Sequence, residues 1–266
     1  MDIVKRALLE DGALRDITSA IIPNTKRTGI FLAKQDLVVC GMEVARRAFG
    51  LVGVGFVPKV RDGTAVKKGA VLATVRGPAR RVLAGERTAL NFVQQLSGVA
   101  TITRRFAGLA APARVYDTRK TTPGLRELEK YAVRCGGGYN HRMGLHDGVM
   151  IKDNHIAALG DLESLREKVE SFSAAGRPVV LEAATHEQAL LFATFPVRVL
   201  MLDNFSVPAL RRAVRAVRGL NPKLEIEASG GVTLKTVRAI ARTGVDRVSV
   251  GALTHSAPAV DISLEL

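Results

Sequence analysis

The run VRVLMLD, residues 197–203, decides the fold. Its apolar character is nearly continuous from Val197 to Leu202, and it ends on a carboxylate, Asp203. Apolar runs this short suit a strand buried on both faces, and the segment after it, VPALRRAVRAV (207–217), changes to helical spacing. The same pairing recurs on either side. ARVYDTR (113–119), DGVMIKD (147–153), PVVLEAA (178–184), LEIEASG (224–230) and DRVSVGA (246–252) are strand-like, and LKTVRAIART (234–243) is helical. Strands alternating with helices predict a parallel sheet covered by helices, and at least six such units favour a βα barrel, complete or incomplete, over a short open sheet.

Polar residues fall at one end of these runs. Arg119 and Lys120, Lys152, Glu182, Asp203, Glu227 with Ser229, and Ser249 with Gly251 all stand at or just past a C-terminal strand end. In a βα barrel those ends converge on the face that carries the active site. Two loops there look suited to phosphate. EASGGVT (227–233) leaves a strand through two glycines and is expected to start a helix near Thr233; SVGALTHS (249–256) repeats the arrangement and adds His255. Glu182 and Asp203 offer oxygen ligands for Mg²⁺ shared with substrate phosphates, or a grip on ribose hydroxyls; salt bridges to Lys120 and Lys152 would equally explain them. Lys152 could also be a Schiff-base lysine, although that would leave the surrounding arginines without a purpose.

Ahead of the barrel pattern, residues 25–82 hold short β-type runs, GIFLAKQDLVVCG and AVLATVRGPARRVL, about the turn RDGTAVKKG (61–69), which predicts a small, mostly antiparallel sheet. Residues 86–108 follow with Leu90, Val93 and Leu96 on one helical stripe. The expected division is therefore an N-terminal domain with its helical connector over 1–108 and a barrel over 109–266. Lys67 and Lys68 give the turn a biotinyl-like look, but a plain surface turn explains it better. With 39 Lys plus Arg against 25 Asp plus Glu, the formal charge is +14, which concentrates anions near the surface. The absence of Trp and an aromatic content of 5% supply no stacking platform for nucleic acid. The N-terminal MDIVKRALLEDGALRDITS has no apolar core of a signal peptide, and no run of apolar residues would span a bilayer, so the expectation is a soluble, cytoplasmic protein. Cys40 and Cys135 lie far apart without metal spacing and read as ordinary semi-buried thiols.

DTRKTTPGLRELEKYAVRCGGGYNHRMGLHDGVMIKDNH (117–155), MLDNF, EASGGVT, VSVGALTHS and the upstream GERTALNFVQQLSGVAT together resemble the quinolinate phosphoribosyltransferase family, also called nicotinate-nucleotide pyrophosphorylase (carboxylating), over nearly the whole chain. The resemblance implies an N-terminal α/β sandwich domain joined to an incomplete, roughly seven-stranded α/β barrel. It implies a homodimer, sometimes a hexamer, with each active site shared between subunits. The implied reaction joins quinolinate to phosphoribosyl pyrophosphate with Mg²⁺, releasing nicotinate mononucleotide, pyrophosphate and CO₂ in NAD biosynthesis. By matching positions, Arg119, His141, Arg142 and Lys152 would surround the quinolinate carboxylates, with Arg87 reaching in from the partner subunit. Lys120 and Lys152 would face pyrophosphate and ribose, Glu182 and Asp203 would serve the ribose hydroxyls and Mg²⁺, and Ser229, Gly230, Gly231, Gly251 and His255 would hold phosphate. One departure is visible: the family's Glu-Val-Glu-Val strand is VLEA here, with Val180 in place of the outer carboxylate and Glu182 kept. The N-terminal helix also looks short. The physical case for quinolinate is independent: a planar dicarboxylate suits guanidinium forks, which pair bidentately where a lysine cannot. Rival readings are a paralogue associated with molybdenum transport, a nicotinate-preferring phosphoribosyltransferase, and a basic nucleic-acid-binding protein.

Overall fold

The structure is a computed structural model that describes residues 2–266. In chain order it runs α1 (Ile3–Glu10), β1 (Lys26–Ala33), β2 (Leu37–Val38), α2 (Met42–Leu51), β3 (Gly55–Pro58), β4 (Ala65–Val66), β5 (Val71–Pro78) and α3 (Ala79–Ala110). It continues through β6 (Arg114–Tyr116), α4 (Arg126–Cys135), β7 (Val149–Ile151), α5 (Asp153–Leu159), α6 (Leu162–Ala174), β8 (Val179–Ala183), α7 (His186–Phe192), β9 (Val199–Asp203) and α8 (Val207–Leu220). β10 (Glu225–Ser229), α9 (Val237–Ala241), β11 (Arg247–Ser249), α10 (Ala252–His255) and β12 (Ile262–Glu265) complete it. Two compact units result. The first holds the chain up to Arg104 with Thr121–Gly137 and Ser256–Leu266; the second holds Arg105–Lys120 and Gly138–His255.

The first unit is built on an antiparallel sheet ordered β12-β1-β5-β3, with β2 and β4 paired separately. Alternation along β1 sends Phe31 and Ala33 inward, where Phe31, Phe49 and Phe56 pack with ring centroids 5.4 to 5.9 Å apart. Three buried phenylalanines contribute roughly 1.5–3 kcal/mol each by removal from water, and edge-to-face contact adds to it. The antiparallel sheet is as the sequence predicts, but two elements differ. Residues 42–51 form α2, burying Met42, Ala45, Ala48 and Phe49 along one face, where only β-type runs were expected. Its start is stabilised from far along the chain: Asp62 accepts from the backbone N–H of Gly41 and of Met42, both at 3.1 Å. The capping residue is thus missing from the local sequence, which is why the helix is hard to read there. α3 begins at Ala79, not near 86, because Val82, Ala89, Leu90 and Val93 already form its buried stripe.

Cys40 and Cys135, separate in sequence, are neighbours in this unit. They are free thiols, one buried and one partly exposed, as expected, but their sulfurs and an Asp62 oxygen lie within 4.8 Å of one another, which their separation in sequence did not suggest. β2 and the end of α4 bring them together, and nothing in the spacing of two single cysteines could announce it.

The second unit carries one parallel sheet in the order β6-β11-β10-β9-β8-β7. β7 and β6 end the ladder, so the barrel is incomplete, as expected. The seventh position is a single parallel bridge between Tyr139 and Tyr116, made by Tyr139 N–H to the Val115 carbonyl (2.8 Å) and Asp117 N–H to the Tyr139 carbonyl (3.0 Å). α8 covers the sheet through buried Leu210, Ala213, Val214 and Val217, with Ser206 as its N-cap and Pro208 in its first turn. No helix among the described residues is long and apolar enough to cross a membrane.

Candidate active site

Register places the polar strand ends together. Glu182 pairs with Met201, and Ser229 with Asp203, so Glu182, Asp203, Glu227 and Ser229 come from three adjacent strands at the same end of the sheet. There the second unit opens into a cavity of about 690 Å³. Arg119, Lys120, His141, Arg142, Lys152, Glu182, Asp203, Ser229, Gly230, Gly231, Gly251 and His255 all line it. Twelve of the thirteen candidate residues therefore converge. The thirteenth, Arg87, is exposed on α3 in the other unit and does not line this cavity.

Each cation is fixed by its element. Lys152 caps α5, its backbone N–H donating to His155 Nδ1 at 3.1 Å, while its ammonium is ion-paired with the Glu182 carboxylate. Arg142 donates to the Gly148 carbonyl at 2.9 Å, and its buried Nε has no hydrogen-bond partner among the described residues. Burial, and then the charge of nearby Arg119, lower the Arg142 pKa from its ordinary value. A partly desolvated guanidinium beside a like charge is costly until an anion arrives.

His141 is held from two sides. Its backbone N–H donates to Asp117 Oδ1 at 2.8 Å, and its ring Nε2 lies 2.6 Å from Glu227 Oε1 and 2.9 Å from Ser249 Oγ. Asp117 and Glu227 are both fully buried. These two carboxylates support the site without lining it. Sequence reading noted Glu227 only as a strand-end residue and gave Asp117 no role. The signal for Asp117 was its place at the end of β6, two residues before Arg119.

The two glycine loops differ in part from expectation. Regular helix starts at Val237, with the segment from Thr233 tied into a turn by Val237 N–H to the Thr233 carbonyl (2.9 Å). α9 is five residues long and α10 four, so neither supplies a full helix dipole. What this rim offers is loop backbone, the neighbouring Lys120 and His255 side chains, and open space. Gly230 and Gly231 have φ of +92° and +57°, a Cβ on Gly230 would collide with the Asn204 side chain, and above Gly231 nothing lies within 4 Å. A Cβ on Gly251 would stand 3.1 Å from His255 Nε2 and 3.2 Å from Lys120 Cδ, so glycine is what lets those two side chains approach. Asn204 itself adopts φ +59°, which asparagine tolerates better than most residues, and its side-chain amide donates to Asp203. Asn204, Thr118 and Thr233 line the cavity and were not singled out from the sequence.

Glu182 and Asp203 present the hard oxygen donors that Mg²⁺ prefers. Two carboxylates, one already paired with Lys152, fit a metal completed by water and substrate phosphates; they do not enclose one. Asp203 has no such lysine pairing among the described residues and is the freer of the two carboxylates.

Comparison with known proteins identifies the family and the fold. The family model described as quinolinate phosphoribosyl transferase, N-terminal domain, matches residues 16–97, and the C-terminal domain of the same family matches 99–265. The chain belongs to the quinolinate phosphoribosyltransferase family. It is 39% identical to a probable nicotinate-nucleotide pyrophosphorylase (carboxylating) of Bacillus subtilis, over 99% of this chain and 92% of that protein. A decarboxylating quinolinate phosphoribosyltransferase of Nicotiana tabacum is 40% identical over 100% of this chain and 81% of its own length. Among solved structures, NadC from Streptococcus pyogenes superposes with a TM-score of 0.92 at 36% identity, covering 100% of this chain and 95% of that one. Human nicotinic acid phosphoribosyltransferase shares the fold at a TM-score of 0.63 and 12% identity, over 98% of this chain and 73% of its own. The family fold, an N-terminal α/β sandwich domain with an incomplete α/β barrel, is the fold of this chain. Val180 stands half-buried in β8 opposite Met150 and Val199, so the family's outer carboxylate has an apolar substitute here.

Proposed function

We propose that this protein transfers the phosphoribosyl group of phosphoribosyl pyrophosphate to quinolinate, releasing pyrophosphate and CO₂ and forming nicotinate mononucleotide for NAD biosynthesis. The observation that carries the reading is the convergence of Arg119, Lys120, His141, Arg142 and Lys152 on one cavity beside the Ser229–Gly231 and Gly251–His255 loops. Arg119 and Arg142 grip the two carboxylates as planar forks and fix the ring so that its nitrogen faces the ribosyl carbon. The nitrogen's electron pair forms the new C–N bond as the bond from the ribosyl carbon to pyrophosphate oxygen breaks. Lys120 and Lys152 stabilise charge gathering on the departing pyrophosphate, and the glycine loops hold the ribose 5-phosphate with His255. The carbon–carbon bond to the 2-carboxylate then breaks; its electron pair stays on the ring carbon, beside the cationic ring nitrogen, and is quenched by a proton. His141, steadied by Glu227 and Asp117, keeps a hydrogen-bond donor at the carboxylate end. Asp203 and Glu182 would hold Mg²⁺ and the ribose hydroxyls; the metal's contribution when bound is to neutralise pyrophosphate charge.

We further propose a cytoplasmic homodimer, or a hexamer built of such dimers, in which Arg87 enters the partner's cavity. Its exposure on α3 supports that assignment. The deciding experiment is product formation from phosphoribosyl pyrophosphate with quinolinate or with nicotinate, each with and without Mg²⁺. Nicotinate mononucleotide and CO₂ from quinolinate, abolished by chelation, are the expected result. Turnover of nicotinate alone would refute the substrate assignment. For the shared site, mixing Arg87→Ala with Lys152→Ala subunits should restore activity that neither variant has alone; no rescue in a mixed dimer would refute it.

A further inference from the structure

The two cysteines of this chain are its only ones, and they meet in the first unit, in residues that take no part in the cavity just described. Cys40 is fully buried, and Cys135 is partly exposed at the end of α4. Both are held by backbone contacts that leave the sulfurs facing each other. The Cys40 N–H donates to Ser97 Oγ at 2.9 Å, and the same hydroxyl donates back to the Cys40 carbonyl at 3.1 Å. The Cys135 carbonyl accepts from Arg104 at 3.4 Å. Gly136, next in the chain, sits so tightly that a Cβ would come within 2.5 Å of the Ala100 carbonyl and of Thr103 Cβ, so the end of α4 cannot drift. Asp62, the third polar group, is already engaged: Oδ2 accepts from Gly41 N–H and, at 3.1 Å, from the Tyr131 hydroxyl, and Oδ1 accepts from Met42 N–H. That engagement accounts for Asp62 as a helix cap. What it leaves is a reactive pair of sulfurs, one reachable from solvent and one behind it.

We propose that Cys135 and Cys40 are a peroxide-sensitive pair that closes to a reversible intrachain disulfide, with Cys135 the attacking thiol and Cys40 the resolving one. The hydrogen bond from Cys40 lowers the Cys135 pKa and raises that of Cys40, whose burial acts in the same direction. Cys135 is therefore the better thiolate and Cys40 the proton holder, the arrangement in which oxidation starts at the exposed sulfur. In the first step the Cys135 thiolate attacks one oxygen of a hydroperoxide. The sulfur–oxygen bond forms, the oxygen–oxygen bond breaks, and the leaving alkoxide or hydroxide takes a proton. In the second, the Cys40 sulfur attacks Cys135; the sulfur–sulfur bond forms, the sulfenic oxygen departs, and the Cys40 proton completes a molecule of water. Each sulfur loses one electron, and the peroxide gains both.

The test uses the full-length protein, reduced and then exposed to stoichiometric hydrogen peroxide, with intact mass read under denaturing, non-reducing conditions. The expected product is a monomer lighter by about 2 Da, the two thiol hydrogens, with maleimide labelling falling from two sites to none and returning after dithiothreitol. Cys40→Ser, and Cys40→Ala as a second variant should serine disturb packing, should stop at a dimedone-reactive sulfenic acid on Cys135. Accumulation of oxygen adducts on the wild-type chain without the loss of hydrogen would overturn the proposal. So would a disulfide found only between chains, or zinc retained at both thiols with resistance to peroxide, which would mark a metal site.

Discussion

The two ends of the parallel sheet handle charge in opposite ways. At the N-terminal end, Glu225 opens β10 and gathers Arg114, which opens β6, Arg247, which opens β11, and Arg198, just ahead of β9. Guanidinium meets carboxylate directly, and Arg247 also lies over the Tyr116 ring at 4.8 Å. At the C-terminal end, Arg142 has a backbone carbonyl for its partner and Arg119 for a charged neighbour. Residues of one chemical type thus meet a carboxylate directly at one end of the sheet, while at the other Arg142 meets a backbone carbonyl and a like charge.

Breaking the ligand end should give the largest effect. Arg119→Ala is expected to lower kcat/KM for quinolinate by about 10²- to 10³-fold, the cost of losing one charge-stabilising contact, with little change in melting temperature. Near-normal steady-state kinetics would remove Arg119 from the site. Next, Gly251→Val fills the gap between Lys120 and His255, and displacing those side chains should cost roughly 10- to 100-fold in turnover. An unaffected rate at saturating phosphoribosyl pyrophosphate would show that the close approach is unimportant.

Breaking the other end should leave chemistry alone. Glu225→Gln is expected to destabilise the fold by about 1–3 kcal/mol in urea titration, with unchanged activity per folded molecule. Burial raises the Glu225 pKa, but the bonds from Arg114 and Arg247 outweigh it and hold the carboxyl below its ordinary value. A depressed folded pKa stabilises the protein above the unfolded value, about 4.3, and that contribution fades as pH falls further toward the folded pKa. Wild type should therefore lose stability over that acidic window more steeply than Glu225→Gln; parallel pH profiles would contradict the pairing. The smallest effect concerns the first unit: Asp62→Ala removes the cap of α2 and should cost about 0.5–2 kcal/mol, visible as faster hydrogen exchange at Gly41 and Met42.

Much of this contrast was legible in the residues. The strand runs end on Lys152, Glu182, Asp203 and Ser229, and a parallel arrangement alone sends such ends to one face. Glu227 was harder to interpret, because a carboxylate two residues before a glycine loop looks like a ligand-binding group until His141 is found 2.6 Å away. The helix expected at Thr233 begins at Val237 because a hydroxyl-bonded turn intervenes between Thr233 and Thr236. α2 was missed because its cap comes from Asp62, beyond β3, and β12 because residues 262–265 become a strand only by pairing with β1.

By itself, the sequence determined the alternation of buried strands with amphipathic helices, the excess of cations, and the motifs that place this chain in its family, since all of these depend on periodicity and composition within a short window. Tertiary structure decided which cations are answered by carboxylates, which carboxylates hold His141, and that two distant cysteines are neighbours in the first unit. Those are properties of distance in space, and a chain encodes them only through the packing of elements far apart along it.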